Sequence, residues 1–132
     1  MIIYNKYIPF GRFKRIAIWP VILWKTYSPY KLHYHNHEKI HLVQQFECMC
    51  IGILLSGIAS LFTGFEWWYL IASYLMFYVV YVINWIVELI KMIFGADEKA
   101  YKDIWFEKEA YQNQKDKNYL KNRKPFAWLK YK

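Results

Sequence analysis

All four histidines of the chain fall within nine residues, at His33, His35, His37 and His41. Within that stretch, His37-Glu38-Lys39-Ile40-His41 fits the pattern H-E-x-x-H. On a helix, residues four apart share a face, so both imidazoles can reach one Zn²⁺. Glu38 stands one step round the helix from His37, so it can reach a water on the ion without being a ligand, as a general base must. In an extended strand the frames His33/His35 and His35/His37 would pair instead, because alternate residues face one way.

A catalytic zinc needs a third protein ligand and an open position. The charge distribution says where to look for it. The chain has 132 residues, 18 Lys and Arg against 10 Asp and Glu, and a net charge of +8. No Lys or Arg occurs from Ile40 to Ile90, a stretch holding two apolar runs, Phe46–Phe62 and Trp67–Val87, split by Thr63-Gly64-Phe65-Glu66. At 1.5 Å per residue these runs span roughly 26 and 32 Å, against a hydrocarbon core of about 30 Å. Water-facing helices carry polar positions that these runs lack, so a soluble hairpin is the weaker reading. The expected fold is mainly α, a two-helix transmembrane hairpin with a zinc site on one side. Basic blocks flank the hairpin, and the positive-inside rule puts both termini on the cytoplasmic face of the cytoplasmic membrane.

Because the hairpin returns to the side it left, the third ligand should follow its second helix. Glu107 and Glu109, in Trp105-Phe106-Glu107-Lys108-Glu109-Ala110-Tyr111, are the best-placed carboxylates; Asp97, Glu98 and Asp103 lie nearer the end of the second run. Ordinary helix surface is the competing account of all five, and the preferred one for Glu109.

The chain divides into a strand-bearing N-terminal region (1–35), the histidine helix with the hairpin (36–94), and a C-terminal segment (95–132), together one domain. Phe13–Trp24 is rich in β-branched and aromatic residues and reads as one or two short strands with Pro20 at a bend or edge. Charges at Lys6, Arg12, Lys14 and Arg15 interrupt the N-terminus, which therefore does not read as a cleavable signal. Gly95-Ala96-Asp97 reads as a helix end, and Lys99–Gln114 as a further helix. The tail Tyr119–Lys132 mixes Lys121, Arg123, Lys124, Lys130 and Lys132 with Tyr119, Phe126, Trp128 and Tyr131. Such a patch can bind nucleic acid, but beside two apolar helices it reads as attachment to anionic headgroups, with no nucleic acid. Gln44, Gln45 and Glu47 continue the histidine helix as interfacial polar residues, with Gln44 or Gln45 near the His37/His41 face. Cys48 is read as packing. Asn84 and Glu88 are expected to point inward, since polar groups facing lipid are costly.

At these residues the chain resembles the membrane gluzincins, the group that includes the CAAX prenyl endopeptidase and the bacterial heat-shock membrane protease. Their pattern is H-E-x-x-H on one helix, a membrane hairpin, then E-x-x-A-D supplying the third ligand. His37-Glu38-x-x-His41 and Glu107-x-x-Ala110 match it. The resemblance implies Zn²⁺ held by His37, His41 and Glu107, with Glu38 as base. Tyr111 stands where the family has an Asp that orients a zinc-binding His. Asn36–Gln45 with Phe106–Tyr111 is also similar to a set of small membrane proteins of the Bacteroidota type, a likeness that brings no substrate.

The function expected is a membrane-embedded zinc metallopeptidase acting on peptide or membrane-protein segments. Tyr111, Tyr101 and His33 are candidate donors to the oxyanion, and the N-terminal strands offer an edge for an extended peptide. The alternative is a non-catalytic metal-binding or interaction membrane protein. A histidine-rich di-iron enzyme would need more ligands than four His and these carboxylates supply.

Overall fold

Ile22 and Trp24 lie two apart on a short strand and are both buried, as the period of two requires for one covered face. The computed structural model describes residues 1–9, 13–95 and 102–132, and the chain is mainly helical, with a few short strands at its N-terminal end. The strands are β1 (Ile2–Asn5), β2 (Arg15–Ile18) and β3 (Val21–Lys25), in the order β1-β3-β2. The expected strands over Phe13–Trp24 are β2 and β3, antiparallel with Ile16 opposite Leu23, and Pro20 sits in the turn between them. β1 runs parallel to β3, with Ile2 opposite Ile22. This pairing has no local signature, because a parallel partner is joined by a long connection.

Helix α1 spans Leu32–Thr63 and α2 spans Trp68–Ile93. Both are long and apolar enough to cross a membrane. α1 starts earlier than expected and takes in His33 and His35, so the extended H-x-H frames do not form; the His35 Nδ1 instead meets the Tyr30 hydroxyl at 2.7 Å. Gly64 (φ +78°) ends α1 and Gly95 (φ +94°) follows the end of α2, both in the left-handed region that glycine enters without strain. Residues 96–101 lie outside the described residues, and with them Asp97, Glu98, the expected helix start at Lys99 and the Tyr101 hydroxyl; Arg12 does too.

The two long helices pack antiparallel through small residues. Ser56 Oγ lies 3.1 Å from Ser73 Oγ, and a Cβ on Gly52 would stand 2.7 Å from the Ser73 Cα. Their outer faces carry large bare apolar side chains; Leu61 and Phe62 are 81% and 85% exposed. The sheet is tied to this pair by side chains rather than by a ladder. Gln45 donates to the Ala17 carbonyl (2.8 Å) and accepts from the Trp19 N–H (2.7 Å), while the Tyr74 hydroxyl donates to the Trp19 carbonyl at 3.1 Å.

Helix α3 is Trp105–Asn113, shorter than expected, and it opens where a neighbouring helix caps it: Asn84 Oδ1 accepts the Trp105 N–H at 2.7 Å. Side chains from another element can thus satisfy an orphan N–H. Asn84 and Glu88 are buried, as expected. Ile104 and Phe106 enter a core with Cys48, Phe77 and Trp128, so Cys48 is a packing residue.

In the C-terminal segment one of the five basic residues turns inwards to the protein. The segment forms α4 (Tyr119–Asn122) and a 3₁₀ turn (Ala127–Tyr131). Lys121, Lys124, Lys130 and Lys132 are exposed, but the Arg123 side chain is 3% exposed, clasping Glu47 and Glu109. Glu47 also accepts from the Phe126 N–H (2.8 Å) and the Trp128 indole (3.1 Å), which holds Phe126 at φ +55°. Glu109, expected on the helix surface, is fully buried. Glu47, expected at the interface, is buried as well, because the two carboxylates share the Arg123 guanidinium. Removing Arg123 would strand two buried carboxylates, a cost of about 3–5 kcal/mol.

Gly52→Leu should pry the long helices apart at a cost of about 1–3 kcal/mol, lowering the melting temperature in detergent. Gly57→Leu, where a side chain meets open space, should melt like the wild type. Equal melting of the two variants would contradict the close contact.

Candidate metal centre

One turn of α1 separates His37 from His41, and their Nε2 atoms converge to 3.1 Å. α3 presents Glu107 to both: Oε2 lies 3.4 Å from His37 Nε2, and Oε1 lies 3.5 Å from His41 Nε2. The three residues form a group whose ligand atoms all lie within 4.8 Å of one another. Ligand atoms held tetrahedrally at 2.0–2.1 Å from an ion stand about 3.3 Å apart, so the three contacts suit one shared cation. Two further observations agree with that. Glu107 Oε2, the atom that faces His37 Nε2, is buried with no hydrogen-bond partner among the described residues, and a buried polar atom is rarely left so. The donor set is two imidazoles and a carboxylate, which suits zinc and other first-row divalent ions.

Ala110, fully buried one turn after Glu107, lets α3 lie close to α1. Phe106 anchors the same turn in the core, and the Tyr81 hydroxyl donates to Glu107 Oε1 at 2.9 Å. Glu107 is held well below the usual carboxylate range: burial pushes its pKa up, but the His41 charge and the close approach of both imidazoles outweigh it.

Glu38 lies ahead of the apolar run and is buried beside these ligands, with Arg15 Nε 4.0 Å from its Oε1. Burial pushes its carboxyl above the usual range. Arg15 is itself held over the Tyr34 ring at 3.7 Å and donates to Ser28 Oγ at 3.1 Å. Glu38 and His37 border two cavities. One, of about 280 Å³, is walled mainly by apolar groups including Phe13, Ile16, Phe77 and Tyr78, and also reaches His41 and Glu107. The other, of about 420 Å³, is walled by Lys14, His33, Tyr111 and Lys115.

The structure therefore brings together His37, His41, Glu107 and Glu38. Tyr111 stands edge-on to the His37 ring, centroids 4.8 Å apart, and His33 lines the more basic cavity. Glu109 faces away, towards Arg123. Asp103 pairs with Lys108 at 3.5 Å. Tyr81 and Arg15 belong to the site without a sequence motif to announce them; of the two glutamines, Gln44 reaches His41 Nδ1 at 2.8 Å and Gln45 reaches the sheet.

Set against known proteins, the chain matches no family model, no curated protein and no solved structure.

Protein purified without chelators should carry one divalent ion per chain, by elemental mass spectrometry. His41→Ala and Glu107→Ala should each reduce this to a small fraction. Undiminished metal in both would place the ion elsewhere.

Proposed function

We propose that the chain is a membrane-embedded zinc metallopeptidase, crossing the cytoplasmic membrane twice with both termini and the metal centre on the cytoplasmic side. The observation that carries this is the approach of Glu107 to both imidazoles, with Glu38 beside them at the edge of open cavities. The bare apolar faces of α1 and α2 support the membrane placement, since a water-soluble monomer rarely shows patches of that size.

His37, His41 and Glu107 would hold the ion. Bound there, zinc polarises a scissile carbonyl and lowers the pKa of water. Glu38 takes the proton of the attacking water and delivers it to the leaving amine, a task its raised pKa suits. Tyr111, beside His37, donates to the developing oxyanion.

Substrate lies along β2. Ile16 and Ile18 sit opposite Leu23 and Val21, and Lys25 N–H reaches the Lys14 carbonyl at 3.0 Å. By the antiparallel alternation, the Arg15 and Ala17 peptide groups turn outwards. Gln45 takes the Ala17 carbonyl, leaving the Arg15 groups on the edge next to His37 and Glu38. An extended peptide adding there places one side chain in the apolar cavity and another near Lys14 and Lys115. Such a substrate is a membrane-protein tail or an unfolded segment, apolar on one side of the cleaved bond and acidic on the other.

Glu38→Gln should cut peptide cleavage by about 10²–10⁴-fold while zinc stays bound; cleavage at the wild-type rate would end the mechanism. If neither protein cleaves yet both bind zinc, the chain is a metal-binding membrane protein without peptidase activity. Tyr111→Phe should lower kcat by roughly 10²–10³-fold with KM little changed, and an unchanged kcat would remove Tyr111 from the reaction.

A further inference from the structure

Three hydrogen bonds fix which way round the Gln44 amide sits. Its Nε2 donates to the Phe106 carbonyl at 3.1 Å and to Glu109 Oε2 at 3.0 Å, and both partners only accept. The atom 2.8 Å from His41 Nδ1 is therefore Oε1, an acceptor. Nδ1 must carry the hydrogen, and the neutral ring then has its lone pair on Nε2. Nε2 is the atom that faces His37 and Glu107. Gln44 thus selects the tautomer that can bind a metal where the other two ligands wait.

Gln44 is held in turn. Glu109 is fully buried and accepts from the Tyr119 hydroxyl at 2.8 Å, from Arg123 Nη2 at 3.2 Å and from Arg123 Nε. The same guanidinium grips Glu47, three residues along α1 from Gln44 (Nη2 to Oε2, 3.0 Å). The chain of contacts runs from the C-terminal segment to the metal ligand with no gap. His37 has no such support, its Nδ1 being buried without a partner among the described residues.

We propose that Gln44 is the positioning residue that presets His41 for metal binding, and that the C-terminal segment holds it there through Arg123 and Glu109. This rests on the metal centre proposed above. The centre is then completed only when the last part of the chain has docked. A substitution at Arg123, remote in sequence from every ligand, weakens metal binding.

The test uses the full chain in detergent with Co²⁺ as the probe, its affinity read by chelator competition and its geometry by visible absorption. Gln44→Leu should lose about 10–100-fold in affinity, as expected when a ligand loses its orienting partner. Gln44→Asn, one methylene too short to span His41 and Glu109, should lose affinity while keeping a polar, foldable side chain. Arg123→Lys, which keeps the charge but not the fork, should show a smaller loss. In ring-labelled, zinc-loaded protein, the His41 Nδ1 proton resonance should move upfield in both Gln44 variants, a signal that general loosening would not single out. Wild-type affinity in both Gln44 variants would overturn the proposal. Wild-type affinity in Arg123→Lys alone would overturn the part given to the C-terminal segment. A wild-type protein that takes up no Co²⁺ would overturn the metal centre itself, and the proposal with it.

Discussion

Four buried carboxylates on α1 and α3 set the condition that the surrounding structure answers. Glu38, Glu47, Glu107 and Glu109 are all buried there. Among the described residues, two guanidiniums stand at ion-pair distance from them, Arg15 at Glu38 and Arg123 between Glu47 and Glu109. Two negative charges remain, and an unpaired buried charge costs several kcal/mol. One of the two lies on the Glu47/Glu109 pair that shares Arg123, and the other on Glu107, whose neighbours are imidazoles. A cation at His37, His41 and Glu107 would meet the demand of Glu107. The same electrostatic demand shows in His41: burial alone would lower its pKa, yet the Glu107 charge and hydrogen bond, with Glu38 and Gln44, lift it to about 9.

The polar first half of α1 is where the layers meet. Successive helical residues point about 100° apart, so Gln44 and Gln45 can serve different neighbours. Gln44 turns to α3 and Gln45 to the sheet, while Glu47 reaches the C-terminal segment. Each bond replaces a hydration that the residue loses on burial, and each fixes one element against α1. Phe46 lies five residues beyond His41, about 7.5 Å along the helix. In the membrane placement proposed, the ligands therefore sit close above the apolar region, and the depth of the site is set by the helix itself.

Much of this was legible in the sequence, and the division follows the range of the interactions. The i,i+4 histidines, the apolar runs and the glycine stops are local patterns, and each appears in the structure as α1, α2 and their ends. Glu107 could be picked out because Ala110 follows it at helical spacing in a segment that matches a known pattern. Glu109 and Arg123 could not. Their charged partners lie 14 and 76 residues away, and Arg123 sits among lysines that remain exposed. A basic, aromatic stretch has the same composition whether it faces headgroups or folds back on carboxylates. β1 escaped notice for the related reason that its partner is parallel and some twenty residues distant.

Tyr111 stands where the resemblance drawn from the sequence would have an acid that orients a histidine. Orientation is a matter of one acceptor facing Nδ1, and nothing requires that acceptor to come from α3. An amide on α1 supplies it at His41, three residues on, at a distance the helix fixes. An amide alone is a weaker acceptor than a carboxylate, but Glu109 polarises this one through its Nε2, and hydrogen bonds in series strengthen one another. The negative charge lies one bond further from the imidazole, where Arg123 also neutralises it. With that task met elsewhere, a tyrosine beside His37 adds no charge to a cluster that already has too many carboxylates. It adds instead a hydroxyl-bearing ring at the mouth of the cavity.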